Sequence, residues 1–147
     1  MQSVKEASAA AEIASVRELF AEYVRSVDAP CCFADFENEL AALPAGYDVL
    51  LLAGGSAGCV GVRRLDAGTA ELKRLFVRPA RRGEGWGRAL LEAAIAEAQK
   101  RGCRRVVLDT LPKMTEAQAL YRAFKFREIP PYLAAPTPGA TCFELSL

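Results

Sequence analysis

The stretch that decides the fold is LKRLFVRPARRGEGWGRALL, residues 72–91. A strand pattern precedes the glycines of this stretch and a helix pattern follows them. Three alternating glycines, Gly83, Gly85 and Gly87, allow backbone conformations that a Cβ atom forbids, so successive N–H groups can converge on one anion. The helix adds the positive end of its dipole and its free first-turn N–H groups. The stretch therefore predicts a diphosphate-binding loop, surrounded by arginines at positions 78, 81, 82 and 88.

Spacing separates this loop from two other phosphate-binding motifs. A dinucleotide-binding Rossmann motif needs GxGxxG at the first strand-to-helix turn, whereas here the glycines alternate and Arg88 follows them. A P-loop needs GK[ST] after the glycines, and that sequence is missing. A glycine-rich turn with a purely structural role stays open at this point.

Length and composition indicate one small domain. The chain has 147 residues, of which 52% are apolar, and we expect a single domain over 1–147. The chain has 19 Lys plus Arg and 18 Asp plus Glu, so it lacks the broad positive charge of a nucleic-acid-binding protein. The basic residues cluster between Lys73 and Arg88 instead, which favours a small polyanionic ligand. Without a long apolar run or a signal-peptide pattern, we expect a soluble, cytoplasmic protein that binds no membrane.

The chain contains no histidine, which excludes Ser-His-Asp and Cys-His nucleophile systems and imidazole-ligated zinc. Its five cysteines, at positions 31, 32, 59, 103 and 142, have no CxxC spacing. They are expected to be reduced thiols in apolar segments, with no metal site. Acid–base catalysis would then depend on Glu, Asp, Tyr, Lys, Cys or water.

The order of predicted elements is β-α-α-β-β-β-α-β-α-β-β, an α+β (mixed α/β) arrangement. Strands are expected over residues 3–7, 48–53, 58–65, 69–78, 104–110 and 141–147. A helix is expected over 85–101. Phe33, Phe36, Leu40 and Leu43 predict a short helix that ends before Pro44. The sequence Thr115-Glu116-Ala117-Gln118 predicts a capping box at the start of the last helix.

Two motifs together resemble a known family. The pattern Arg82-x-x-Gly85-x-Gly87 is similar to the acetyl-CoA-binding motif of the GCN5-related N-acetyltransferases (GNAT), and TEAQALYRAFKF is similar to the second signature of that family. The predicted element order is also that of the family. The resemblance implies a GNAT-like acyl-CoA N-acyltransferase fold, with a central, mostly antiparallel sheet and flanking helices. It also implies acetyl-CoA as the acyl donor and no metal.

The resemblance assigns roles to individual residues. Backbone amides of the loop would hold the coenzyme A diphosphate; these residues are Arg82, Gly83, Glu84, Gly85, Trp86, Gly87 and Arg88. The backbone of Leu75, Phe76 and Val77 would pair with the pantetheine arm as an added strand would. Tyr121 matches the tyrosine that protonates the departing thiolate. Two positions depart from the family pattern: Met114 replaces the usual Asn, and Lys125 replaces the usual Gly.

A proton acceptor is also needed, because an amine is protonated at neutral pH and cannot attack a thioester in that form. Glu71, on the strand before the loop, is the candidate. Alternation predicts that Glu71, Lys73, Leu75 and Val77 share one face of that strand. The structural alternative for Glu71 is an exposed carboxylate paired with a nearby arginine.

The sequence predicts an N-acetyltransferase that moves an acetyl group to a primary amine, on a small molecule or a peptide, by direct attack in a ternary complex. The loop at 43–47 and the segment around Tyr132 would form the walls of the acceptor site. Lys73 and Arg74 would bind an acceptor carboxylate, form salt bridges with Glu71 or Asp109, or contact phosphate. A non-catalytic acyl-CoA sensor and an RNA-binding module are the alternative functions, and a homodimer stays open.

Overall fold

The computed structural model describes residues 3–27 and 35–147. The strands are β1 (Val4–Glu6), β2 (Val49–Ala53), β3 (Gly58–Asp66), β4 (Thr69–Val77), β5 (Arg105–Thr110), β6 (Arg127–Ile129) and β7 (Thr141–Ser146). The helices are α1 (Ala10–Val27), α2 (Phe36–Ala42), α3 (Trp86–Lys100) and α4 (Thr115–Ala123), with a short 3-10 turn at Pro79–Arg81. The predicted order of elements is confirmed. The predictions that concern Cys31, Cys32 and Phe33 lie outside the described residues.

The strands form one sheet in the order β1-β2-β3-β4-β5-β7-β6. Neighbouring strands are antiparallel except β4 and β5, which are parallel. The pairing of these two strands joins Thr69–Glu71 to Arg105–Val107. Beyond Glu71 no described strand pairs with this edge of β4, so the sheet opens between β4 and β5.

Helices cover both faces of the sheet. On one face, Leu90 and Leu91 of α3 pack against strand residues that include Val60. On the other face, Leu19 and Phe20 of α1 pack in a second cluster. Since β2 lies between the two layers, all five of its residues are buried. Each leucine removed from water in this way contributes about 1.5–3 kcal/mol.

A β-bulge interrupts β4 at Arg74. Cys59 and Gly61 are two residues apart on β3. Their partners on β4, Phe76 and Lys73, are three residues apart. The extra residue on β4 is accommodated by Arg74, whose φ of 62° is in the left-handed region. That conformation costs a non-glycine residue about 1–3 kcal/mol.

The bulge reverses the alternation of side chains along β4. Leu75 and Val77 pack against the α3 cluster, and Phe76 belongs to the α1 cluster. Glu71 and Lys73 lie on the opposite face from Leu75 and Val77, because the extra residue shifts the phase by one. The prediction that these four residues share one face is therefore wrong.

The start of α4 also differs from the prediction. Met114, not Thr115, is the N-cap residue, and it forms no side-chain cap hydrogen bond. The side-chain amide of Gln118 donates instead to the carbonyl oxygen of Leu111, 3.0 Å away in the preceding loop. The capping box is wrong because Gln118 binds a loop carbonyl rather than an amide of the helix.

Candidate active site

A cleft of about 950 Å³ lies where β4 and β5 separate, and we call it the donor cleft. Its walls come from the end of β4, the glycine loop with the start of α3, the end of α1 and the segment before and within α4. The lining residues are Tyr23, Ser26, Val27, 75–77, 81–83, 85–88, 111–117, Leu120 and Pro138. Every residue predicted to bind coenzyme A lines this cleft, with the exception of Glu84.

Two of the three loop glycines have the left-handed conformation that the sequence predicts, and the third, Gly87, lies within α3. Gly83 has φ 81° and Gly85 has φ 89°, so both are left-handed. Gly85 is the N-cap of α3 and offers no side chain to the first-turn N–H groups, which have no acceptor within the helix. Since 85–88 line the cleft, this helix start is available to an anion.

Side chains fix the loop from behind. Trp86 is buried, and its ring packs against Gly54, where an added Cβ atom would lie 2.6 Å from it. Its Nε1 donates to Oε1 of Glu84 at 2.8 Å, and Nε of Arg81 donates to the same oxygen at 3.0 Å. The hydrogen bonds from Trp86 and Arg81 hold the pKa of Glu84 below its usual value. The Glu84 side chain thus braces the loop.

The four arginines predicted around the loop divide into two groups. Arg81, Arg82 and Arg88 line the cleft. Arg78 does not, because its guanidinium binds Glu22 of α1 through contacts of 2.7 and 3.1 Å. Nε of Arg82 donates to the carbonyl oxygen at position 77, and no described carboxylate forms an ion pair with Arg82.

Glu71 lies at the point where β4 leaves β5. Its side chain is 1% exposed, so it is not the exposed carboxylate of the structural alternative. Oε1 accepts a hydrogen bond from Nε of Arg63 at 2.6 Å, and Oε2 accepts one from the hydroxyl of Tyr132 at 2.5 Å. The ion pair with an arginine was expected; the burial and the contact with Tyr132 were not.

Pairing across five strands places Glu71 in a row with Arg63, Val107, Glu144 and Arg127. Directly paired residues share a face, so the row lies on the side of the sheet opposite α3. We call this row, with Lys73 and Tyr132, the acceptor face.

Ion pairs also hold Glu144 of this face and the neighbouring Arg74. Oε1 of Glu144 accepts from Arg105 at 3.0 Å, and Oε2 accepts from Arg127 at 2.9 Å. The guanidinium of Arg74 binds Glu39 of α2 through contacts of 2.7 and 3.1 Å, and Tyr47 donates to the same carboxylate at 2.9 Å. The predicted salt bridges from Arg74 to Glu71 or Asp109 are therefore replaced by one to α2.

Known proteins resemble this chain in sequence and fold. The pattern of the Acetyltransferase (GNAT) family matches residues 13–126. An uncharacterized N-acetyltransferase of Schizosaccharomyces pombe is 33% identical, over 88% of this chain and 85% of that protein. The chain belongs to the GNAT acetyltransferase family. As the sequence predicted, it is an N-acetyltransferase.

Solved structures confirm the GNAT fold. An acetyltransferase from Streptococcus agalactiae superposes with a TM-score of 0.79 at 20% identity, and the match covers 99% of this chain and 98% of that chain. The yncA structure from Salmonella typhimurium, which contains its cofactor acetyl-CoA, has a TM-score of 0.74 at 20% identity. That match covers 99% of this chain and 93% of the other.

The two departures from the GNAT signatures have structural explanations. Lys125 has φ 71°, so the backbone retains the left-handed conformation for which glycine is favoured. The Met114 side chain lines the donor cleft, and its Sδ accepts hydrogen bonds from Tyr23 at 3.8 Å and Thr110 at 3.4 Å. Both positions thus keep a local role with a different side chain.

Tyr121 lies beside the donor cleft and not in its wall. Its side chain is buried, with ring centroids 5.7 Å from Phe126 and 6.0 Å from Phe143. Its neighbour Leu120 lines the cleft. Burial raises the pKa of Tyr121, and the nearby Tyr23 adds to the rise. The hydroxyl therefore keeps its proton at neutral pH.

Sequence reasoning missed two contributions to the site. Tyr23 of α1 lines the donor cleft, but in the sequence it is one of several apolar positions of an amphipathic helix. Tyr132 was expected as a wall of the acceptor site, and its hydrogen bond to Glu71 spans 61 residues of chain. No local pattern could indicate that contact.

No helix within 3–27 or 35–147 has the length and hydrophobicity needed to span a bilayer.

Proposed function

We propose that this GNAT enzyme transfers an acetyl group from acetyl-CoA to a primary amine, on a small molecule or a peptide, by direct attack in a ternary complex. One observation carries the proposal: a single strand, β4, provides both the open edge of the donor cleft and the buried carboxylate of Glu71. The proposed binding edge for acetyl-CoA and the proposed proton acceptor, Glu71, are thereby a few residues apart on one rigid strand.

The donor cleft fits acetyl-CoA on several grounds. Amides at 82–88 would hold the diphosphate, because Gly83 and Gly85 are left-handed and the start of α3 is open. Arg82 would add a cation that no described carboxylate neutralises. The free edge of β4 at Leu75, Phe76 and Val77 would bind the pantetheine amides as a neighbouring strand would. The yncA structure, solved with acetyl-CoA in the same fold, supports this assignment.

Acetyl-CoA supplies a thioester that a neutral amine can attack, so the residues of the acceptor face must first remove a proton from the ammonium. Both oxygens of Glu71 already accept hydrogen bonds, and the one on Oε2 comes from Tyr132. We therefore assign the transfer to a relay. Tyr132 gives its proton to Oε2 of Glu71 while its oxygen takes one from the acceptor ammonium, which becomes a neutral amine.

Tyr121 is the proposed proton donor to the departing thiolate. Its raised pKa keeps it protonated, and it lies near Tyr23, which lines the cleft. The N–H of Phe76, on the open edge of β4, is the proposed donor to the carbonyl oxygen.

The described cysteines support direct attack over an acyl-cysteine route. Cys59, Cys103 and Cys142 are buried, and burial raises the pKa of the Cys59 and Cys142 thiols. A buried thiol without a base to activate it is a poor nucleophile.

The test joins a binding assay to a turnover assay. Micromolar acetyl-CoA should raise the melting temperature, because it binds the folded state alone. Thiol release across a panel of primary amines should then detect turnover. Tyr121→Phe should lower kcat by about 100-fold and leave the melting shift in place.

The two assays separate the possible failures. If acetyl-CoA, propionyl-CoA and coenzyme A all leave the melting temperature unchanged, the donor assignment is wrong. A melting shift without thiol release from any amine would support the acyl-CoA sensor instead. An RNA affinity that persists at saturating coenzyme A would support the RNA-binding module.

A further inference from the structure

The ammonium of Lys73 differs from the other cations near Glu71. Arg63 is bound to Glu71, and Arg74 is bound to Glu39 by two hydrogen bonds. Lys73 forms no ion pair with any carboxylate in residues 3–27 or 35–147. Of these three cations, Lys73 alone has no ion pair with a described carboxylate.

The position of Lys73 places this charge within the acceptor face. It lies two residues after Glu71, on the same side of β4 and before the bulge. Residues at this spacing on a strand are about 7 Å apart. A small molecule can therefore contact both side chains at once.

The environment of Lys73 does not favour a bare cation. The side chain is half-buried, and Gly61 is its partner on β3. Burial lowers the pKa of Lys73 and the positive charge of Arg74 lowers it further, while the nearby carboxylate of Glu71 opposes these two effects. Both effects act against the charged form, and an anion in contact with the ammonium would reverse them.

We propose that Lys73 anchors an acidic group of the acceptor, so that the acceptor is an amine that also carries a carboxylate, as an amino acid does. This inference rests on the proposed function. One ammonium at a strand position suits a carboxylate, because a phosphate is more often met by several backbone N–H groups or a cluster of cations.

The same charges disfavour the opposite class of acceptor. A polyamine or an aminoglycoside would bring several positive charges beside Arg63, Lys73 and Arg74. Glu71 and Glu39 are already in ion pairs, so Asp109, which lies near Tyr132, is the described carboxylate left to compensate several positive charges. A carboxylate on the acceptor removes this conflict, since its negative charge lies at Lys73 while its amine lies toward Tyr132 and Glu71.

The experiment uses amines in matched pairs, each an amino acid and its carboxamide, with the full-length enzyme and saturating acetyl-CoA. The wild-type enzyme should prefer the acid member by about tenfold in kcat/KM, through KM. Lys73→Met should remove the preference, because it should raise KM for the acid member far more than KM for the amide member. Lys73→Arg should retain part of the preference.

Lys100→Met is the matched control, because Lys100 is exposed at the end of α3, away from the acceptor face. Its kinetics should equal those of the wild type, and melting temperatures should show that all variants fold. Equal kcat/KM for acid and amide members in the wild type would overturn the inference alone. A loss that Lys73→Met imposes equally on both members would do the same. Thiol release from neither member would refute the proposed function and this inference together.

Discussion

The donor cleft and the acceptor face are built from different parts of the chain. The donor cleft depends on backbone: left-handed glycines, a helix start and an unpaired strand edge, mostly within residues 75–88. The acceptor face depends on side chains from five strands and a loop, spread from Arg63 to Glu144. A site made of contiguous backbone can be recognised in a sequence, whereas a site made of distant side chains is visible only in the fold.

Loss of the carboxylate on the acceptor face should give the largest effect. Glu71→Gln removes the final proton acceptor, so kcat/KM should fall by about 10²- to 10⁴-fold. The melting shift with acetyl-CoA should remain, because the donor cleft is unchanged. Thiol release and melting curves measure the two quantities.

Glu144→Gln is the control for this variant, since Glu144 is also buried on the sheet and bound by arginines. It should lose stability without a comparable loss of turnover. Similar turnover in Glu71→Gln and the wild type would exclude Glu71 as the proton acceptor.

Removal of the relay hydroxyl should have a smaller effect. Tyr132→Phe leaves Glu71 in place but deletes the group between it and the acceptor, so kcat should fall by about tenfold. Tyr47→Phe is the matched control, because Tyr47 also donates to a carboxylate, that of Glu39. If the two variants slow turnover equally, Tyr132 has no special role in proton transfer.

A change in the donor cleft should affect binding in place of chemistry. Gly83→Ala puts a Cβ atom on a left-handed residue that lines the cleft, so the Kd for acetyl-CoA should rise about fivefold. Gly55→Ala imposes the same backbone strain at an exposed turn, with φ 74°. Neither position has a heavy atom within 4 Å of the new Cβ.

Both glycine variants should therefore lose about 1 kcal/mol of unfolding free energy. Only Gly83→Ala should weaken the binding of acetyl-CoA, which isothermal titration measures directly. Equal affinities in the two variants would show that the loop does not contact the donor.

The smallest effect concerns stability at alkaline pH. The folded-state pKa of Tyr121 is raised, so the folded state holds the phenolic proton more tightly than the unfolded state does. This contribution to stability is complete below the ordinary tyrosine pKa of about 10 and is lost as the pH rises above it. In urea titrations, Tyr121→Phe should lose less stability than the wild type above that pH. Parallel curves for the two proteins would show that Tyr121 is not buried as described.

The sequence was sufficient for the parts of the molecule that are local. The glycine loop, α3 and the order of helices and strands along the chain follow from periodicity and glycine spacing. The sheet face on which Leu75 and Val77 lie could not be predicted. The bulge that sets it is at Arg74, and arginine gives no sequence signal of a left-handed conformation. The contact between Arg74 and Glu39 joins residues 35 positions apart and was equally beyond local reasoning.

Glu71 illustrates the same limit at a single residue. Its identity and strand could be predicted, and so could an arginine partner. Its burial depends on the segment that brings Tyr132 over the sheet, and proline-rich loops have no periodicity from which a path can be inferred. The sequence therefore predicted Glu71 as a candidate residue, but not its burial or its hydrogen bond with Tyr132.

The bulge in β4 has an evolutionary consequence. It divides one strand into two segments whose side chains alternate independently, Thr69–Lys73 and Leu75–Val77, which the proposed function assigns to the acceptor and the donor. Under that proposal, a substitution in the first segment would alter recognition of the acceptor and leave the second segment facing the donor cleft. The inherited chemistry of one substrate can thus persist while selection explores the other.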